Sequence, residues 1–367
     1  MLTLMKEKAH LIYLRRKENQ RSKLRGYKEN KYIKPLIEPG IILTKEEKIR
    51  IKNKWGEVVP IPLSRGYEFY RGMKSLYSFD ANYLPSSYYA PYILNTLNHH
   101  IHKGRLNHKS LLQIIYSNGI KHPRTIIRSY GGLLLDENFR PLLRNEAVKT
   151  IKKQNSALLY KPSSGQGQGK GIQLLATTKD IEYLCNELES GELTRRGDFV
   201  IQEPLQQCDD TKVFNPTSLN CMRITTININ NNTSPCSFAL KCGSAASVVD
   251  NIGGGKRGVI VGIDLNGNLA EYGFYGNGEK ATVHNGIEFK GKIIHHFDRV
   301  ISAAVDLHKL ADGCGIIGWD IALDKQYNPV LIEGNTGNPG ISFEQMCSGP
   351  IFGNRTDEII NYIKRNK

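Results

Sequence analysis

The chain has 367 residues, 40% hydrophobic and 23% charged, enough for a substantial core and two or three subdomains. No apolar run approaches the ~18 residues of a membrane helix, and the first twenty residues lack a signal peptide's apolar core and cleavage site. Seven cysteines without a C-x-x-C pair point neither to a disulfide framework nor to zinc, so a cytoplasmic protein is expected.

The formal charge of +15 is concentrated early: residues 1–54 carry 16 Lys and Arg against 6 Glu. This stretch reads as helical. Solvated surface is the first reading of its charge, and a patch for an anionic membrane or substrate is the second. The second reading would put the protein at the inner membrane face. Nucleic acid is not expected as a partner, because no DNA- or RNA-binding motif accompanies the charge. "YLPSSYYAPYILNTLN" (83–98) is aromatic-rich and is expected to pack a small N-terminal domain.

In "HKSLLQIIYSNGIKHP", Leu111, Leu112, Ile114 and Ile115 fall at helical spacing, with Gly119 as the stop and Pro123 beyond it. Strand-like runs follow: "ALLYK", "GIQLLAT", "DFVIQEPL", "MRITTINI", "SFALKCG" and "GVIVGIDLNGNLAEYGF". Turns are expected at 231–235 and at the "NGN" of 266–268. Phe297, Val300, Ile301 and Ala304 mark one helix face, ahead of a final hairpin. The class is α+β with mostly antiparallel sheets.

That hairpin, "WDIALDKQYNPVLIEGN", turns at "DKQYN", which places Asp320 opposite Glu333, with Asn335 on the same face. Like charges opposite each other destabilise a sheet, and a cation is the natural reason to tolerate them. All-oxygen ligation suits magnesium, so Asp320, Glu333 and Asn335 are candidate metal ligands. Exposed acids at a hairpin end are the bland alternative.

"LLYKPSSGQGQGKGIQLL" (158–175) is a strand, a glycine-rich loop and a strand. It is not a P-loop, because Ser164 stands five residues before Gly169 and Gly171 follows Lys170. Nor is it a dinucleotide fingerprint, because Lys170 stands where the third glycine would fall. A flap whose backbone N–H groups close over phosphates remains, with Lys161 supplying a point charge.

These residues resemble the ATP-grasp superfamily, closest to its sugar-transfer-associated branch, over most of residues 80–345. The resemblance implies an ATP-grasp fold of two α+β subdomains gripping ATP. Its parts would be a basic helical N-terminal region (1–105), a small subdomain (106–205) and a large one (206–367). It implies ATP and Mg2+ as cofactors, with Lys109, Lys161, Ser164, Gln166, Gly167 and Gly169 on the phosphates. In "VIQEPLQQCDD", Gln202 would bond adenine through its side chain, Glu203 and Leu205 through their backbones, and Asp209 would lie near the ribose. "NPTSLNCMRITT" and "GWDIA" are more particular to the branch.

The implied activity is a ligase in which a carboxylate takes the γ-phosphoryl group and an amine then displaces phosphate. A sugar acid, an amino acid or a cell-surface polysaccharide precursor would be the substrate. The alternative is phosphoryl transfer to a sugar hydroxyl. Arg223, Lys161 and Lys256 are the catalytic candidates; Lys241, Lys256, Arg257 and His284 are the substrate candidates, with a structural role the stronger reading for His284. Many ATP-grasp ligases carry an arginine two residues before the metal aspartate; this chain has Gly318 there.

Overall fold

Among the described residues every named strand pair is antiparallel, as the alternating runs predict. The computed structural model describes residues 20, 23–59, 66–99, 105–116, 119–164, 169–245, 247, 250, 252, 258–311 and 313–366. None of the helices among these residues is long and apolar enough to cross a membrane.

The smaller sheet is built from β1 (Thr125–Tyr130), β2 (Leu133–Leu135), β3 (Pro141–Leu142), β4 (Leu158–Pro162), β5 (Gln173–Leu175) and β6 (Phe199–Gln202). Their spatial order is β3-β2-β1-β6-β4-β5. Ile127, Leu158, Tyr160, Phe199 and Ile201 point to a core under the helices Arg144–Lys152 and Thr178–Glu189. The second of these helices starts at a capping box: Thr177 accepts from the Asp180 amide, and Asp180 accepts from that of Thr177. Strands β1 to β3 are absent from the sequence reading; two of them are only two or three residues long, too short to alternate visibly.

The larger sheet contains β7 (Cys221–Ile229), β8 (Asn232–Gly243), β9 (Gly258–Ile263), β10 (Leu269–Tyr275) and β11 (Lys280–Ala281). A separate small hairpin, β12 (Val283–His284) and β13 (Ile287–Glu288), precedes the last two strands, β14 (Ile316–Leu323) and β15 (Pro329–Asn335). The order is β11-β10-β9-β8-β7-β14-β15. The turn expected at 231–235 is shifted. Asn230 and Asn231 turn the chain with φ of +53° and +59°, the left-handed pair a two-residue hairpin requires, so 232–235 belong to β8. The turn at 266–268 forms as expected, with Gly267 at φ +86°.

One face of the larger sheet packs on the helix Phe297–Lys309, whose Phe297, Val300, Ala304 and Leu307 meet Ile317, Trp319, Ile321 and Leu323. Each such side chain taken wholly out of water stabilises the fold by about 1.5–3 kcal/mol. The opposite face is divided. At one end it packs against the N-terminal elements: Trp55, Phe69, Tyr88, Tyr89 and Ile93 share a core with Ile227, Ile316 and the C-terminal helix Thr356–Arg365. The expected small N-terminal domain is therefore not separate. Its aromatic residues cover this sheet. The other end of the face is open.

Candidate active site

The uncovered faces of the two sheets enclose a cavity of about 1020 Å³. Alternation decides which side chains reach it. Because Ile317, Trp319 and Ile321 take the core side of β14, Gly318 and Asp320 take the other. By the same rule β7 presents Cys221 and Arg223 and β8 Lys241, whereas on β15 Leu331 faces the core and Glu333 and Asn335 reach the cavity only through a bulge. Register then aligns Arg223 with Asp320 and Asp320 with Glu333 across three adjacent strands. The hairpin turns at 324–328 as expected, but its pairing shifts beyond Asp320, so that Ile321 faces Leu331. The extra residue is Ile332, and this bulge leaves Ile332 and Glu333 both lining the cavity.

Two cations hold Asp320. Arg223 donates from Nε to Oδ1 at 2.7 Å and from Nη2 to Oδ2 at 3.1 Å, and Lys241 Nζ lies 3.0 Å from Oδ2. Burial alone would raise the carboxyl; Arg223 and Lys241 instead hold it well below the usual carboxylate range. Asn335 Nδ2 is 3.4 Å from the same Oδ2, and Lys109 Nζ is 3.2 Å from Glu333 Oε1. Lys241 also pairs with Asp250 at 3.4 Å. Arg223 occupies the room over Gly318, where a Cβ would sit 3.3 Å from Arg223 Nη1. The arginine beside this aspartate thus comes from the neighbouring strand.

From the smaller sheet, Lys161 on β4 lines the cavity at 8% exposure, without a hydrogen-bond or ion-pair partner among the described residues. Burial first and Lys109 second push its pKa down to about 8. Lys109 opens the helix Lys109–Ile115 and donates its amide to Ser163 O at 3.0 Å. Gly169 also lines the cavity, and Ser164 is exposed; Gln166 and Gly167 lie outside the described residues, as do Lys256 and Arg257.

Residues 203–206, outside any helix or strand, connect the smaller sheet to the larger. The Glu203 amide is used, donating to Arg124 O at 2.9 Å, whereas the Glu203 carbonyl and the Leu205 amide have no partner among the described residues. The Gln202 side chain donates to Thr125 Oγ1 at 3.0 Å and does not line the cavity. Asp209 is exposed and also off the lining, which Lys212 joins instead. Gln207 anchors the hinge by donating to the Asn215 and Ser218 carbonyls at 3.0 and 2.6 Å, while Asn220 Nδ2 bonds Thr211 O and Asn215 O. Asn215, Ser218 and Asn220 of "NPTSLN" thus form a buried brace for the hinge, while Pro216, Thr217 and Leu219 line the cavity. His284 is buried on β12, bonds Gly243 O at 2.8 Å, and stands outside the cavity.

The cavity also contains groups that no spacing in the sequence signals. Glu344, at 2% exposure in the helix Ser342–Ser348, accepts a hydrogen bond from Thr225 Oγ1. Ser342 and Phe343 adjoin it, and Tyr32 and Ser86 arrive from the N-terminal region.

Residues 90–361 match the family described as sugar-transfer associated ATP-grasp. The chain belongs to that family. Its α+β architecture is accordingly an ATP-grasp fold. Solved structures similar to this ATP-grasp protein include a biotin carboxylase–β,γ-ATP complex from Campylobacter jejuni, at 15% identity, covering 71% of this chain and 46% of that one, with a TM-score of 0.42. D-alanine–D-alanine ligase from Bacillus anthracis complexed with ATP is 13% identical, with 72% and 66% covered and a TM-score of 0.41. The ATP-grasp ligase PsnB with its minimal precursor is 16% identical, with 80% and 70% covered and a TM-score of 0.41. The chain spans about half the length of the biotin carboxylase. No curated protein matches its sequence.

Proposed function

We propose that the protein is an ADP-forming carboxylate–amine ligase acting on a sugar acid, amino acid or glycan precursor. The observation that carries its ATP chemistry is Lys161: a buried ammonium beside Lys109, without a partner among the described residues, in a cavity of about 1020 Å³. Such a charge is costly to bury and is compensated when an anion arrives. The Glu203 carbonyl and Leu205 amide, without partners among the described residues, suit the donor–acceptor edge of adenine, with the phosphates toward Lys161.

The donor set fits magnesium: two carboxylates and one amide oxygen share a face, with Glu333 and Asn335 only half-buried. Among the described residues no three His, Cys, Asp or Glu side chains gather to hold a metal by themselves, so phosphate oxygens and water would complete the shell. Asp320, Glu333 and Asn335 would hold the ion, which when bound would neutralise phosphate charge.

The protein's own residues position and stabilise. Lys161 and Lys109 hold the γ-phosphoryl group in line while a substrate carboxylate oxygen attacks phosphorus and the bond to ADP breaks. Arg223, fixed by Asp320, faces the charge that develops at the acyl carbon as the amine adds. The carbon–oxygen bond to phosphate then breaks, and the amine's proton leaves with base or solvent.

A second reading, phosphoryl transfer to a hydroxyl, draws on one observation: Arg223 and Lys241 are both committed to acids, leaving neither free for a substrate carboxylate. Heavy-oxygen label in the carboxylate separates the two. A ligase transfers one labelled oxygen to free phosphate. A kinase releases no phosphate and yields a stable phosphorylated product.

A further inference from the structure

The cavity's charges do not balance where it meets the helix Ser342–Ser348. Arg223 and Lys241 face Asp320, Asp250 and Glu344, two cations against three carboxylates among the described residues. Glu344 makes the longest of these ion pairs, and burial raises its carboxyl against the pull of Arg223 and of the Thr225 and Ser237 hydroxyls. Its Oε2 accepts from Thr225, but its Oε1 is buried without a hydrogen bond, since Arg223 is turned toward Asp320 and leaves Nη1 3.6 Å away. A buried acceptor left without a donor is costly, and a buried charge left unpaired more so.

The serine hydroxyls of the adjoining wall are engaged with one another and with Glu29. Ser342 gives its hydroxyl proton to Glu29, which also accepts the Ser86 amide at 3.1 Å. Ser86 Oγ lies against Ser342 Oγ and Ser86 lines the cavity, where its hydroxyl oxygen keeps capacity to accept. Tyr32 and Phe343, stacked at 4.5 Å between ring centroids, give this part of the lining an apolar side. A substrate carboxylate would meet like charge here. A hydroxyl would satisfy an acceptor but leave the surplus charge. An ammonium group supplies donors and no acceptor, and it cancels the surplus.

We propose that this wall is the amine subsite of the ligase, with Glu344 Oε1 and Ser86 Oγ receiving the N–H groups and Tyr32 and Phe343 flanking the amine's carbon skeleton. The inference rests on the ligase reading and adds to it where the nucleophile sits. Glu344 is the binding group, and Tyr32 and Ser86 bring the N-terminal region into substrate selection.

Hydroxylamine, largely uncharged at neutral pH, intercepts an acyl phosphate without an ammonium site and gives a hydroxamate. The full-length protein is assayed with ATP and a panel of uronic and amino acids, using hydroxylamine, ammonium chloride, glucosamine and amino-acid amides as nucleophiles. The expected result is hydroxamate with at least one carboxylate, and saturable use of ammonium or a panel amine. Glu344→Gln should raise the KM for that amine about tenfold or more, with the KM for ATP moving less than about twofold. Glu344→Asp should recover part of the loss. Tyr32→Ala, at a separate element, should raise the same KM and keeps the test informative if the Glu344 variants misfold. Hydroxamate formation with unchanged amine KM in the variants, or with no saturable amine, overturns the subsite and leaves the ligase standing. Absence of hydroxamate with every carboxylate removes the ligase reading, and the subsite with it.

Discussion

Arg223 and Asp320 stand opposite each other on adjacent strands, and the guanidinium grips both carboxylate oxygens, at 2.7 and 3.1 Å. Each is nearly buried, so the loss of one strands the other. Arg223→Met is expected to cost about 3–5 kcal/mol in denaturant unfolding, and Asp320→Asn a comparable amount. The double variant should cost less than their sum, by more than about 1 kcal/mol. Strict additivity would show that the pair is not coupled.

Glu333 is less buried than Asp320, and its pair with Lys109 is half-open to the cavity, so Glu333→Gln should change unfolding free energy by no more than about 1 kcal/mol. Its effect belongs to the ligand. Magnesium titrations of ATP turnover should lose their saturation in this variant. An unchanged magnesium dependence would remove Glu333 from the metal set.

Lys161 gives a pH prediction with a definite sign. Its folded pKa, about 8, lies below the unfolded value of 10.5, so the folded state sheds its proton first. Between those values the unfolded chain binds more protons, and this group's contribution to stability rises with pH. Phosphate binding runs the other way, because it needs the cation. kcat/KM for ATP should therefore fall on an alkaline limb centred near pH 8. Lys161→Arg should move that limb upward. A limb that stays in place would mean that another group titrates there.

At Gly318 a methyl group would meet Pro339 Cβ at 3.2 Å and Arg223 Nη1 at 3.3 Å. Gly318→Ala should push the guanidinium off Asp320, lowering kcat about tenfold or more at a stability cost of about 1–3 kcal/mol. Wild-type kcat in the alanine variant would show that the guanidinium has room to spare.

Lys23, Lys28, Lys31, Lys34, Lys45, Lys48 and Lys52 are all exposed, so the basic N-terminal charge is available to a surface. If it serves an anionic membrane, co-sedimentation with phosphatidylserine vesicles should weaken as salt screens the contact. Equal binding to neutral vesicles would leave only solvated surface.

The hairpin, its turn and the open side of β14 were legible from two-residue alternation. The register was not: run outward from 324–328 it would set Asp320 against Ile332, and only the bulge, which nothing local marks, brings Glu333 opposite. Lys161 and its strand were equally readable. What failed depended on neighbours distant in sequence. Gln202 turns to Thr125 because β1, two or more elements away, supplies a hydroxyl. Arg223 could be placed on a strand, but its partner is 97 residues on. Glu344, Tyr32 and Ser86 gave no signal because a cavity wall assembled from both chain ends has no period.

The helical stretch at 23–33 buries Glu29 against Ser86 and Ser342, and the same stretch brings Tyr32 to the cavity. Residues before 90 lie outside the family match, yet they finish the pocket's wall. A chimera joining a relative's leading segment to residues 90–361 of this chain would keep the phosphate machinery and inherit a foreign wall. Acceptor preference would then travel with the segment, as an exchangeable part.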